Sequence, residues 1–241
     1  MIVQQNKIAY VTGSSRGIGL ALVKKLIEAK FFVFGISRTN DFSHPNFLHE
    51  SLDLLDLEAV KNYKFKHSAD QVVLVNNAGM LGIVKPIGQL DSQTIQDVMT
   101  ANSIAPQILI NQFLNTFQSE VSLGHIVSIS SGAGKHAIDA WASYCASKAA
   151  IDLFSETVWS ELKSRDIKNW HVHSIAPGVV DTQMQSEIRR SKPADFLALD
   201  KFMFLKSNNE LTDPTVVAKK LYQVIQSPKL FKECLMSVRD F

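Results

Sequence analysis

Short apolar runs alternate with amphipathic stretches along nearly the whole chain, and the two periods separate the elements. Residues 8–12, 31–36, 47–52, 72–76, 125–130, 171–175 and 235–238 form short runs bounded by polar or turn residues, and the pattern predicts strands there. Between them, residues 17–29, 57–66, 92–117, 141–165 and 214–226 carry apolar positions at helical spacing and are expected to be helices. The uninterrupted run Val72-Val73-Leu74-Val75 suits a central strand covered on both faces. Strand–helix alternation implies an α/β fold of the doubly wound, Rossmann type: a seven-stranded parallel sheet with helices on both faces. In such sheets ligands bind outside the carboxyl ends of the strands, near the point where strand order reverses.

No repeat, linker or low-complexity tract breaks the pattern, so residues 1–241 are expected to be one domain. Its halves divide at about 125, with a glycine-rich turn in the first. Residues 182–209 interrupt the alternation. A polar helix at 183–190, a break at Pro193 and an apolar helix at 196–205 fall between the sixth strand and the next helix. That position is over the mouth of the cleft, where a substrate lid is expected.

Composition narrows the function classes. A net charge of +2 with no basic run gives no electrostatic case for nucleic acid or a membrane surface. Hydrophobic content of 46% and a mean hydropathy of +0.03 suit a water-soluble domain, and no uninterrupted run of about 18 apolar residues occurs. The first seven residues lack the apolar core of a leader peptide, so a cytoplasmic location is expected. Two cysteines, Cys145 and Cys234, make neither a disulfide framework nor a metal site; Cys145 is read as a small helix filler.

Two clusters carry candidate chemistry. Tyr144 and Lys148 are four apart on a predicted helix and so share a face. A phenol is a poor acid–base group with a pKa near 10, and a fixed ammonium beside it favours the phenolate. A hydroxyl from a strand end, Ser130 or Ser131, can hold a carbonyl oxygen against that phenol. At the other end of the chain, strand 8–12 runs into Gly13-Ser14-Ser15-Arg16-Gly17-Ile18-Gly19 and a helix. A strand, a glycine turn and a helix start form an anion site. The spacing is neither the G-x-G-x-x-G dinucleotide fingerprint nor a phosphate-binding loop ending in Lys-Ser/Thr.

Thr12-Gly-x-x-x-Gly-Ile-Gly19, Asn76-Asn-Ala-Gly79, Asn102, Ser131, Tyr144-x-x-x-Lys148 and Pro177-Gly-Val-Val-Asp-Thr182 together resemble the ordered motifs of the short-chain dehydrogenase/reductases, over nearly the whole chain. The blocks Trp141–Ala150, Asn76–Gly82 and Asp181–Gln185, with the ending Asp240-Phe241, are more similar to the sepiapterin and benzil (dicarbonyl) reductase branch.

The resemblance implies an NADP-dependent oxidoreductase acting on small carbonyl compounds. Tyr144 would be the general acid. Ser131, chosen over Ser130 by its thirteen-residue spacing to Tyr144, would orient the carbonyl. Lys148 would lower the phenol pKa and hold the nicotinamide ribose, and Asn102 would fix a relay water. Gly13, Ser15, Arg16, Gly17, Ile18 and Gly19 would surround the cofactor phosphates, with Asn77, Ala78 and Gly79 lining the site. Pro177, Gly178, Val180 and Thr182 would hold the nicotinamide, and Asp53 the adenine. The second strand ends without a carboxylate to grip a ribose 2′-hydroxyl, whereas Arg16 and Arg38 suit a 2′-phosphate, so NADPH is the expected cofactor. Asp240 would either anchor a pterin or be a solvated tail charge, and Trp141 would suit a flat substrate.

The same catalytic set would serve a 3-oxoacyl thioester reductase or a sugar or alcohol dehydrogenase, and a non-catalytic NADPH-binding regulator is a further alternative. The resemblance also implies a homodimer, or a tetramer, through helices 92–117 and 141–165, with Ile151, Phe154, Val158 and Leu162 as an apolar stripe that could equally face its own sheet.

Overall fold

The computed structural model describes residues 6–241; the reading of residues 1–5 as a leaderless start lies outside them. Seven strands are present: β1 Lys7–Thr12, β2 Phe32–Ser37, β3 Phe47–Ser51, β4 Gln71–Asn76, β5 Leu123–Ile129, β6 Trp170–Ala176 and β7 Leu235–Ser237. All are parallel, in the order β3-β2-β1-β4-β5-β6-β7, and every expected strand is found with ends within two residues. The order reverses between β1 and β4.

Strand alternation divides the apolar residues between two cores. Tyr10, Phe34, Val72, Leu74, Ile126 and Val172 point to one face. Val11, Val33, Val73, Val75 and Val127 point to the other. The second face is covered by α1 (Gly17–Glu28) and α8 (Pro214–Gln226). The first is covered by α2 (Leu57–Asn62), α4 (Ala105–Phe117) and α5 (Ala142–Ser164), with α3 (Ser92–Met99) leading into α4.

Two of the sheet-covering helices differ from the expectation. The predicted helix 57–66 ends at Asn62, where Tyr63 turns extended with ψ 135°. Tyr63 and Phe65 leave the helix for an aromatic cluster: the Phe65 ring lies 4.9 Å from Tyr10 and 5.0 Å from Phe113, edge-on to both. Packing of large rings overrides helix propensity there. The predicted helix 92–117 is split by a π-turn, Thr100–Ile104, centred on Asn102. Pro106 stands four residues after Asn102, so the Asn102 carbonyl has no α-helical N–H to accept. The wider turn accommodates that missing bond.

The stripe proposed for a subunit interface faces inward. Ile151, Val158 and Leu162 are buried in the sheet's own core, with Phe154 packed against it. Ile95, Ile104 and Leu153 are the large apolar side chains of this region that stay exposed. No helix of the described residues is long and apolar enough to cross a membrane.

The inserted segment forms two helices, α6 Gln183–Arg189 and α7 Leu199–Ser207. The second starts three residues later than predicted, because Phe196–Ala198 form a turn whose Leu197 N–H donates to Asp139. Ile188, Phe196, Leu199 and Phe202 build a third small core with Val98, Trp141 and Tyr144. A half-exposed ion pair, Lys206 to Asp181 at 2.8 Å, ties α7 to the loop after β6.

Candidate active site

The carboxyl ends of β1, β2, β4, β5 and β6 open into one cleft of about 1560 Å³, roofed on one side by α6 and α7. The glycine turn forms its floor. Gly13 has φ +65° and donates its N–H to the Ile36 carbonyl at 2.8 Å. A Cβ at position 19 would lie 2.1 Å from the Gly13 carbonyl oxygen and 2.5 Å from Asn77 Nδ2, so only glycine lets α1 start this close. Asn77 Nδ2 donates to the carbonyls of Thr12 and Gly13, while Thr12 Oγ1 accepts from the N–H groups of Asn77 and Ala78. The β1 and β4 turns are thereby locked together. The first turn of α1 has no side-chain cap and no acidic residue, which leaves its N–H groups available to an anion.

Across the cleft, α5 delivers Tyr144 and Lys148 as one inward face, 7% and 5% exposed. Burial pushes the Tyr144 phenol up to about 12; the Ser131 hydroxyl pulls the other way, and Cys145 adds slightly to the rise. The expected lowering by Lys148 therefore does not dominate here. The lysine Nζ sits 5.8 Å from the ring centroid and donates to the Ile129 carbonyl at 2.8 Å, and its own burial brings it down to about 8, with Asp152 opposing. A phenol with this pKa carries its proton at neutral pH and is available as an acid. Ser131 follows β5, caps the short turn Gly132–Gly134 by accepting from the Ala133 N–H, and lines the cleft. Ser130 also reaches the cleft wall, but its hydroxyl is buried with no partner.

Asn102 stands behind this wall, 2% exposed, with its amide fully engaged: Oδ1 accepts from Met80 N–H, and Nδ2 donates to Met80 O and to Ser147 Oγ. Ser147 in turn donates to the Tyr144 carbonyl at 2.8 Å. The side chain thus connects the π-turn to the β4 loop and to α5. A Cβ on Gly79 would lie 3.2 Å from Asn102 Oδ1 and 3.5 Å from Lys148 Nζ, so the loop passes directly over both.

Of the remaining sequence candidates, Ser15, Arg16, Gly17, Ile18, Arg38, Asp53, Ala78, Trp141, Pro177, Gly178, Val180 and Thr182 line the cleft. Asp53 Oδ1 accepts from the Leu55 N–H, a turn-forming bond that uses one of its oxygens. Asp240 does not line the cleft. Its carboxylate accepts from the Ser237 N–H at 2.8 Å in a tight terminal turn, and the neighbouring Arg239 lines the cleft instead. An aspartate close in sequence to a backbone donor closes its own turn. Sequence reading missed Lys24, which lies seven residues after Gly17 and hence near its face of α1, and Gln185 on α6. It also missed Asp152, although Tyr144, Lys148 and Asp152 step by four.

Comparison with known proteins follows the same lines. The short chain dehydrogenase family profile matches residues 7–193. A benzil reductase ((S)-benzoin forming) of Bacillus cereus is 32% identical over 232 residues, covering 90% of this chain and 93% of that protein. A benzil reductase ((S)-benzoin forming) of Saccharomyces cerevisiae is 35% identical over 240 residues, covering 91% and 90%. Among solved structures, 4-hydroxyisoleucine dehydrogenase complexed with NADH matches with a TM-score of 0.80 at 27% identity, over 96% of each chain.

Proposed function

Since the chain belongs to the short chain dehydrogenase family, and is an oxidoreductase acting on carbonyl or alcohol groups, we propose that it is an NADPH-dependent reductase of small vicinal diketones. The observation that carries the reading is the wall around Tyr144. Trp141 meets its ring edge-on at 5.6 Å, Phe202 and Phe196 pack behind the indole, and the chain end brings no carboxylate to the cleft. A flat diketone suits such a wall, whereas Asp240, the candidate pterin anchor, does not line it.

The residues present fit a nicotinamide dinucleotide. The uncapped start of α1 and the glycine turn suit its pyrophosphate, and Arg16 and Arg38, with Lys24 nearby, suit a 2′-phosphate on the adenosine ribose. Bound along this floor, the reduced cofactor supplies the hydride. Ser131 orients the substrate carbonyl and donates to its oxygen as negative charge develops. Tyr144 delivers the proton to that oxygen, and Lys148 stands behind the phenol as the nearest cation. Met80, Leu81 and the α6–α7 lid exclude water from the reacting face. Free thiols at Cys145 and Cys234 suit a reducing cytoplasm. Any dimer forms through the outward face that carries Ile104 and Leu153, which light scattering of the wild type and of Leu153→Lys would read.

The deciding experiment follows NADPH oxidation with benzil, an aliphatic diketone, sepiapterin and an acetoacetyl thioester. Benzil-type turnover at least tenfold above the others is expected. Turnover of the thioester alone would replace the diketone reading with a 3-oxoacyl one, and turnover of none would favour a non-catalytic NADPH-binding role.

A further inference from the structure

Tyr144, Lys148 and Asp152 follow one another at single helical turns along the inner face of α5, and all three are buried. Asp152, 7% exposed, has no ion-pair partner in direct contact among the described residues. One carboxylate oxygen accepts from Ser174 Oγ at 2.6 Å, on β6 just before the Pro177 loop. The other lies under the turn that follows Ser131: a Cβ on Gly134 would come within 2.7 Å of Asp152 Oδ2, and within 3.0 and 3.1 Å of the Lys148 backbone. The carboxylate therefore sits where the Ser131 turn, the Lys148 turn of α5 and the end of β6 meet.

Holding Ser174 does not require a charge, because a neutral amide would accept the same hydrogen bond, and a buried carboxylate is costly unless a cation offsets it. The cation one turn away on the same face is Lys148. We infer that Asp152 is the buried counter-charge that keeps Lys148 cationic, and so a positioning residue for the reaction proposed above.

Lys148 is itself pulled down by burial, and Asp152 is the group that opposes this. The other titratable groups around the pair are Tyr144 one turn before Lys148, Glu156 one turn beyond Asp152, and Cys234 ahead of β7. The Cys234 thiol, pushed up to about 12 by burial with Glu156 and Asp152 adding to the rise, stays protonated and neutral through the working range. The Gly132–Gly134 turn contributes no titratable side chain and β6 contributes Ser174. Lys148 is thus the only cation of the set.

The inference rests on Lys148 acting in turnover, and Lys148→Ala tests that separately: wild-type turnover in that variant would remove the catalytic reading itself. With that loss established, Asp152→Asn is compared with wild type by the pH dependence of NADPH-linked reduction. The variant keeps the Ser174 bond and the side-chain volume. Its alkaline limb is expected to move down by at least about one pH unit from the lysine's value of about 8, so turnover at pH 8 falls at least about fivefold while turnover at pH 6 stays within about twofold of wild type. A loss of equal size at both pH values, or an unmoved limb, overturns the inference, since a structural role would not recover on acidification. Should Asp152→Asn fail to fold, Asp152→Ser is read on the same axis. Asp152→Glu keeps the charge and is expected to leave the limb in place; a limb displaced as far as in the neutral variant also overturns it.

Discussion

The two ends of the sheet both bury titratable groups away from their ordinary pKa values, yet only one end has the form of a reactive site. At the carboxyl end, Lys148 and Tyr144 lie against a large cleft with Ser131 and the glycine turn. At the amino end, His125 on β5 and His171 and His173 on β6 form a buried cluster, with His125 Nε2 and His173 Nδ1 2.7 Å apart and His173 Nε2 close to the Phe231 carbonyl. Burial pushes all three histidines down, His171 to about 4. Among the described residues no large cleft opens beside them. A hollow of about 200 Å³ lies nearby, lined by Leu123 and residues 226–230 and nearly devoid of polar surface. Perturbed titration therefore marks burial at both ends, and what separates them is whether donors converge on a space a substrate can enter.

The largest expected effect tests the carboxyl end. Tyr144→Phe should cut turnover by about 10²–10⁴ while leaving NADPH affinity and melting temperature near wild type. Retained turnover in steady-state assays would remove the phenol from the chemistry. Next, Ser131→Ala should cost on the order of 10²-fold in kcat, as the loss of an oxyanion donor does, while Ser130→Ala should cost little. The reverse order would assign the carbonyl to the wrong hydroxyl.

Arg38→Ala should reduce the preference for NADPH over NADH by roughly tenfold, the equivalent of a charge-assisted contact of about 1.5–3 kcal/mol, read as the ratio of kcat/KM values. Equal use of both cofactors by the wild type would refute the 2′-phosphate assignment.

The smallest effect belongs to the amino end and should appear in stability alone. Above pH 6.5 the histidines are neutral in both states and cost nothing. Between 6.5 and about 4 the unfolded chain takes up protons that native His171 refuses, so stability falls as pH falls; below about 4 that histidine's share stops growing. Thermal melts from pH 7 to pH 5 should show the decline. His171→Gln should flatten it without altering turnover per folded molecule. A shift in turnover would mean that the two ends are coupled.

The parallel sheet was legible in the sequence because its strands are short, apolar and bounded by turns, and the glycine turn because its spacing forces one backbone path. The fate of Tyr63 and Phe65 was not, since leaving a helix for an aromatic cluster depends on Tyr10 and Phe113, distant in sequence. Asp240 stayed open between an anchor and a tail charge, because its bond to a local N–H is invisible to spacing. Asp152 was overlooked for the opposite reason: a Lys–Asp pair at four residues usually marks a solvated helix face, and only burial gives it weight.

The π-turn at Thr100–Ile104 can be restated as a matter of helical phase. One residue more than an α-helical turn holds is a slip of about 100° around the axis. On one side of the slip Val98 packs into the lid core beside Trp141 and Phe202; on the other, Leu109, Ile110 and Phe113 pack into the main core beneath the sheet. A single rod thus addresses two cores that face different directions. Deleting one residue between Thr100 and Ile104 would remove the slip and swing α3 by more than a quarter turn, carrying Val98 away from the lid, although Pro106 would still leave one carbonyl of the ladder without its donor.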